Sequence, residues 1–262
     1  YVFASDWVLP AREAVPKAEA AARKALQLDE TLAEAHTALG YARFFYDWNW
    51  VQAEQEFQRA IQLNPSHARV YMLYTWLHAS QRRFEEAASA ARRGRDIDPL
   101  SPEAGWAVGG ALYFARQYDR AIEQFRSALD LDPNFWPARL HLGRCYEEKG
   151  RTPEALAEFE KARQIAPIPE IVASLGRAYA MSGRRAEAQR TLDELRDLGK
   201  DYPVMSHDVA LIHLALGDKD RALKLLEKAL EERTYNMTFL NIDPRWGPLR
   251  SEPRFQDIVR RV

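Results

Sequence analysis

Residues 139–167 read RLHLGRCYEEKGRTPEALAEFEKARQIAP, and the order of small, aromatic and helix-stopping residues in that stretch decides the fold. Leu142, Gly143 and Tyr146 belong to one apolar-periodic segment, Gly150 interrupts it, Ala155, Phe159 and Ala162 belong to a second, and Pro167 closes it. Outward from here the closing proline recurs: Pro65, Pro99, Pro133 and Pro167 are 34 residues apart. Five positions before each stand Ala60, Gly94, Ala128 and Ala162; eight before, Phe57, Ala91, Phe125 and Phe159; twelve before, Ala53, Ala87, Ala121 and Ala155. Self-similarity at this period predicts a helical repeat array.

The lattice has a steric reason. Antiparallel helices approach closely only where one offers a hydrogen or a methyl to the other. In the first helix of each repeat the small position holds Gly40, Thr75, Gly109, Gly143, Gly176 and Ala210, expected to face Ala53, Ala87, Ala121, Ala155, Ala188 and Ala222 on the second. Leu39, Tyr74, Val108, Leu142, Leu175 and Val209 fill the space between. A proline after the second helix has no N–H and a fixed φ, which stops the helix, and Asp98 and Asp132 suit the turn.

On these residues the chain resembles the tetratricopeptide repeat family. The fourth repeat carries the fullest signature; the third has Arg116 at the turn glycine but keeps Gly109, Tyr118, Ala121, Phe125, Ala128 and Pro133. The position usually filled by tryptophan has drifted to His36, Tyr71, Gly105 and Arg139. The resemblance implies an all-α fold, a right-handed superhelical solenoid of antiparallel helix pairs. We expect a partial repeat over 1–32, six repeats over 33–230 and a capping segment over 231–262. Ala18 precedes Ala53 by 35 residues, so one extra residue is expected in the first turn, in the segment 46–50 with its two tryptophans. From Ala155 to Ala188 the spacing shortens to 33, and the stop after Leu195 comes late, at Pro203.

The last segment leaves the period. A solenoid exposes the apolar face of its final repeat, so a terminal segment needs its own anchors, for which Trp246, Leu249, Phe255 and Ile258 are the candidates. This ending resembles the tails of repeat regions attached to bacterial signalling proteins such as winged-helix regulators, nucleotide cyclases and kinases. The chain begins Tyr1-Val2-Phe3, as expected of a piece of a longer polypeptide.

Charge is balanced, with 37 basic and 38 acidic side chains, and nucleic-acid binding needs a sustained basic stripe. Arg82, Arg83, Arg92 and Arg93 read as a solvated helix face. No apolar run reaches bilayer length, so direct membrane insertion is not expected. Cys145, the single cysteine, has no partner for an internal disulfide and reads as a small buried hydrophobe. The compartment is open, a cytoplasmic one slightly favoured, and the oligomeric state is undetermined. His36, His67, His78, His141, His207 and His213 are scattered without metal-ligand spacing, and neither a phosphate-cradling loop nor a nucleophile elbow is present. Neither catalysis, a metal nor a cofactor is expected.

Stacked helix pairs leave a concave face lined by the first helix of each repeat. By offset from the small position, that face carries Thr37, Tyr41, Phe44 and Phe45, then Met72, Trp76, Ala79 and Ser80, then Trp106, Gly110, Tyr113 and Phe114. Later repeats contribute Leu140, Arg144, Glu147 and Glu148, then Ala173, Arg177 and Met181, then His207, Leu211 and Leu214. Rings with few rotatable bonds anchor interfaces, and arginines hold carboxylates bidentately. The candidate binding groove is therefore Tyr41, Met72, Trp76, Trp106, Tyr113, Arg144, Glu148 and Arg177. The same aromatics also read as packing on adjacent repeats, a reading as good for Trp76 and Trp106 and better for Tyr113, Phe44 and Phe45.

Some family members grip a chaperone's terminal carboxylate with a Lys/Asn set. Here Thr37, Tyr41, Met72 and Trp76 stand in its place, which disfavours that ligand but leaves Arg144 and Arg177 for another acidic one. The expected function is a protein-interaction scaffold binding a peptide or protein segment in the groove. The alternatives are a sensory arm of a larger signalling protein and a self-association module.

Overall fold

The computed structural model describes residues 9–262; residues 1–8 of the expected partial repeat lie outside the described residues. Every regular element among the described residues is helical. Helix α1 (Ala11–Leu28) precedes six antiparallel pairs: α2 (Ala33–Tyr41) with α3 (Trp50–Leu63), α4 (Ala68–Ser80) with α5 (Phe84–Ile97), α6 (Pro102–Phe114) with α7 (Tyr118–Leu131), α8 (Trp136–Glu148) with α9 (Thr152–Ile165), α10 (Pro169–Met181) with α11 (Arg185–Leu198), and α12 (Ser206–Ala215) with α13 (Lys219–Glu232). Two 3₁₀ turns, Tyr235–Phe239 and Pro244–Leu249, lead to α14 (Pro253–Arg260). The chain divides into two compact units, one running to Leu131 and one starting at Asp132.

Each pair closes at its waist by an exchange of volume between its helices. A Cβ placed on Gly40, Gly109 or Gly143 would lie 2.4, 2.5 or 2.4 Å from a ring carbon of Phe57, Phe125 or Phe159. The glycine hydrogen therefore faces the phenylalanine ring one turn beyond the alanine, which corrects the alanine pairing expected from the sequence. The α4–α5 pair exchanges the other way: Thr75 fills the first-helix position and Ala91 replaces the phenylalanine. Ala53, Ala87, Ala121, Ala155, Ala188 and Ala222 are fully buried.

The turn inside each pair needs one left-handed residue. It is Trp48, Arg82 and Arg116 in the first three pairs (φ 55°, 62° and 61°) and Gly150, Gly183 and Gly217 in the last three (φ 70°, 77° and 89°). The residue after it donates to the carbonyl five positions back, as Arg83 to His78, Gln117 to Leu112 and Arg151 to Tyr146, which satisfies a carbonyl the helix end would leave unpaired. In the first pair the extra residue becomes a π-helical turn over Ala42–Tyr46, where Asp47 N–H donates to Ala42 O and Asn49 N–H reaches back six positions to Arg43 O. A π-turn is how a helix absorbs a one-residue insertion, and it lies just ahead of the expected 46–50. The later deletion falls between pairs: the connection 166–168 has three residues where 64–67 and 98–101 have four.

Trp246, Leu249, Phe255 and Ile258 are buried within 2%. Arg254 forks onto Glu227 of α13 at 2.7 Å through both Nε and Nη2.

Candidate functional site

The inner positions differ in chemistry between the two units, and each set is described by itself. In the N-terminal unit the side chains one residue past the small position are Tyr41 and Trp76, with Gly110 third. Gly110 is glycine because the Trp76 ring occupies its side-chain space: a Cβ there would lie 1.9 Å from Trp76 Cη2. The same ring meets Trp106 edge-on at 5.0 Å and Phe114 at 6.2 Å, and Tyr113 meets Phe114 at 5.3 Å. Edge-to-face ring pairs of this kind contribute about 0.5–1.5 kcal/mol beyond their buried area. Tyr41, Trp76, Tyr113, Phe44, Phe45 and Phe114 are buried, while Met72 and Trp106 are partly open. Of the groove residues expected in this unit, two thus present accessible surface above a packed aromatic floor.

In the C-terminal unit the corresponding positions carry ions. Arg144 Nη2 of α8 donates to Glu170 Oε1 of α10 at 2.7 Å, with both side chains under 10% exposed. Arg177 of α10 pairs with Glu147 and lies 3.6 Å from Glu148. The carboxylates held by the two arginines are therefore the chain's own. Burial leads in pushing the Glu148 carboxyl up, and Asp243 and Glu147 add to it against the guanidinium of Arg177. Burial, then the charge of Arg144, hold the His141 imidazole well below its ordinary value, and so neutral.

This charged face is covered. The segment after α13 runs across it: Tyr235 Oη donates to Glu170 Oε2 at 3.0 Å, Asn236 Nδ2 to Asp208 Oδ1 at 3.3 Å, and the Trp246 ring meets His207 edge-on at 5.2 Å. Asp243 accepts a two-pronged guanidinium contact from Arg245, through Nε at 3.0 Å and Nη2 at 2.6 Å, both side chains buried. Burial alone would raise the Asp243 carboxyl; the charge and hydrogen bonds of Arg245 override it and hold the group well below its ordinary range. Arg245 sits among Glu147, Glu170, Arg177 and Asp208, with no room for a water molecule between them. Arg144, Glu148 and Arg177 thus lie beneath the chain's own tail, the one occupant that counts against an open groove in this unit. One signal was present: charged residues at register positions that hold rings in the earlier repeats, matched by one Asp/Arg pair in the otherwise uncharged stretch 235–249.

No group of three His, Cys, Asp or Glu side chains among the described residues is placed to hold a metal. No helix among them is long and apolar enough to cross a membrane.

The tetratricopeptide repeat family model matches residues 49–102, 109–167 and 174–236. Among curated proteins, anaphase-promoting complex subunit 7 of Mus musculus is 27% identical over 184 residues, 68% of this chain and 32% of that protein. Hsp70-Hsp90 organizing protein 3 of Arabidopsis thaliana is 28% identical over 151 residues, 55% of this chain and 27% of that protein. The chain therefore spans about a third or less of the length of these relatives. Among solved structures, the APC/C hetero-tetramer Cut9-Hcn1 aligns with TM-score 0.66 at 16% identity, covering 95% of this chain and 46% of that one.

Proposed function

The chain belongs to the tetratricopeptide repeat family, and from that premise we propose that it is a non-catalytic protein-interaction module whose N-terminal unit holds a peptide or protein segment on its inner face. The observation that carries this reading is the aromatic floor of Trp76, Tyr113 and Phe114, rigidified over Gly110, with Trp106 and Met72 left partly open above it. A pre-formed floor lowers the ordering cost of binding, and partly open aromatic and Met side chains supply the anchoring area. Tyr41, Trp76 and Tyr113 support the floor in this reading, and Met72 and Trp106 touch the ligand. Relatives of the chain include a subunit of a multiprotein complex and an organizer of two chaperones by name, which accords with a scaffold.

A photo-crosslinking residue at position 106 is expected to capture a defined set of partners from the native lysate. The same residue at 127, an exposed position on α7, is expected to capture none of them. Equal capture from both positions, or the same yield at 106 after Met72→Asp in a chain whose circular dichroism is unchanged, would overturn the assignment.

A further inference from the structure

We propose that the inner face of the C-terminal unit is a recognition site for a short basic-aromatic segment, and that residues 235–249 are an exchangeable occupant held there in cis. The site is distinct from the aromatic floor of the N-terminal unit and stands or falls separately.

Two ion pairs on the face are made without the tail: Arg144 with Glu170 and Arg177 with Glu147 join helix to helix. The tail adds donors to Glu170 and Asp208 and covers the pairs. Its charge is unbalanced. Glu147, Glu148, Glu170 and Asp208 stand against Arg144 and Arg177. A face of this sign attracts a cation; the tail places Arg245 among Glu147, Glu170, Arg177 and Asp208 but shares its charge with its own Asp243, so the acid excess is only partly answered in cis, and Trp246 follows at once on His207.

The tail also carries hydrogen bonds of its own that hold its shape. Asp243 Oδ1 accepts the Arg245 backbone N–H at 3.0 Å, and Arg250 donates to the carbonyls of Asn241 and Asp243 at 2.7 and 2.9 Å. These bonds lie within residues 241–250, so less conformational freedom is lost on binding. The fit in cis is incomplete. Glu147 Oε1 and Arg144 Nε on the face, and Trp246 Nε1 on the tail, are buried without hydrogen-bond partners. A segment carrying arginine and an aromatic in the same order, with one further donor for Glu147, makes bonds the tail leaves unmade. The ligand class is thus a polypeptide segment with an Arg-aromatic step and no excess of acid.

The probe is a fluorescein-labelled peptide of residues 234–252, followed by anisotropy against the full chain. Parent protein, its seat filled, is expected to bind at least tenfold more weakly than the full-length Arg245→Glu/Trp246→Ala variant, whose own tail no longer docks. Peptide carrying Arg245→Glu is expected to bind neither. Equal binding of the peptide to both proteins, or failure of a folded variant to bind it, overturns the proposal. Should the variant lose its helical circular dichroism, a protease site inserted between Arg233 and Thr234 of the parent decides. After cleavage the tail is expected to co-elute on gel filtration and to exchange for labelled peptide. A cleaved tail that never exchanges, or whose release unfolds the chain, shows an inseparable part of the core and sinks the idea.

Discussion

One register position, the residue after the small contact, reads Tyr41, Trp76 and Gly110 in the N-terminal unit and Arg144, Arg177 and Leu211 in the C-terminal unit. The backbone frame at these places is the same, yet one inner face is built from rings that bury one another and the other from ions that need a cover. Rings stack and leave a partly open apolar floor, as at Trp106. Buried ions must be paired and shielded, and the chain supplies the shield from its own tail. A repeat frame therefore does not fix whether a face is offered to a partner; its side chains do.

The largest effect that breaks this contrast is expected at the Arg144–Glu170 pair. Arg144→Met leaves a carboxylate buried without its main partner, which costs about 3–5 kcal/mol. Arg144→Met with Glu170→Leu removes both charges, and replacing a buried pair by apolar groups of similar volume is often neutral or stabilising by about 1–4 kcal/mol. Urea titration with hydrogen exchange read over residues 136–181 checks both. A double variant as unstable as the single would show that the cover, not the pairing, carries the face.

In the N-terminal unit the matching perturbation is steric. Gly110→Ala places a methyl carbon where the Trp76 ring already is, 1.9 Å from Cη2, and overpacking of this kind costs about 1–3 kcal/mol. The expected readout is a lower urea midpoint with faster exchange over residues 68–114 and no change beyond 132. Unchanged stability would mean that Trp76 moves freely, and the floor is not rigid.

Much of this was legible from the chain alone. The lattice of small and aromatic residues predicted the pairs because close helix contact is a local steric demand that recurs with the repeat. Trp246, Leu249, Phe255 and Ile258 stood out as apolar residues in a segment that had lost the period. The tail's seat was not legible, since contacts between Glu170 and Tyr235 or Asp208 and Asn236 join residues 65 and 28 positions apart and leave no periodic trace. The insertion lies a few residues ahead of the expected 46–50, and the spacing alone carries it. Gly40 to Trp48 is eight residues, whereas Thr75 to Arg82 is seven, so the extra residue falls between the small position and the turn.

Acid separates the two faces more gently. His141 is buried beside Arg144 with its folded-state value well below the ordinary one. A group depressed in this way leaves the unfolded chain to take the proton first. The C-terminal unit is therefore fully stabilised by it above about pH 6.5 and loses about 1.4 kcal/mol per pH unit as pH falls below that. Glu148 acts in the opposite sense. Its raised carboxyl contributes stability below the ordinary Glu value near about 4.3 that is lost as pH rises through the folded value, so its protonation offsets part of the His141 loss at the acid end. His141→Gln is expected to flatten the decline between about pH 6.5 and 5 in melts of the whole chain. The equivalent change at His78, whose value is also lowered, by burial and then Arg83, tests the N-terminal unit. Identical slopes for parent and His141→Gln would show that the imidazole is hydrated.

The smallest expected effect concerns the turns, where the units differ most cleanly. The N-terminal unit places Trp48, Arg82 and Arg116 in the left-handed region, and the C-terminal unit places glycine at all three equivalents. A side chain there meets its own following carbonyl, at about 1–2 kcal/mol per residue, while glycine returns part of that through its freedom in the unfolded chain. Arg116 is exposed, so its replacement disturbs little packing. Arg116→Gly is expected to stabilise the N-terminal unit by about 0.5–1 kcal/mol, the net of those two terms, and Gly150→Ala to destabilise the C-terminal unit by a similar amount. Paired urea midpoints measure both. If Arg116→Gly instead lowers stability, the arginine makes a contact worth more than its backbone strain, and the absence of glycine from the first three turns is a stabilising choice of those repeats.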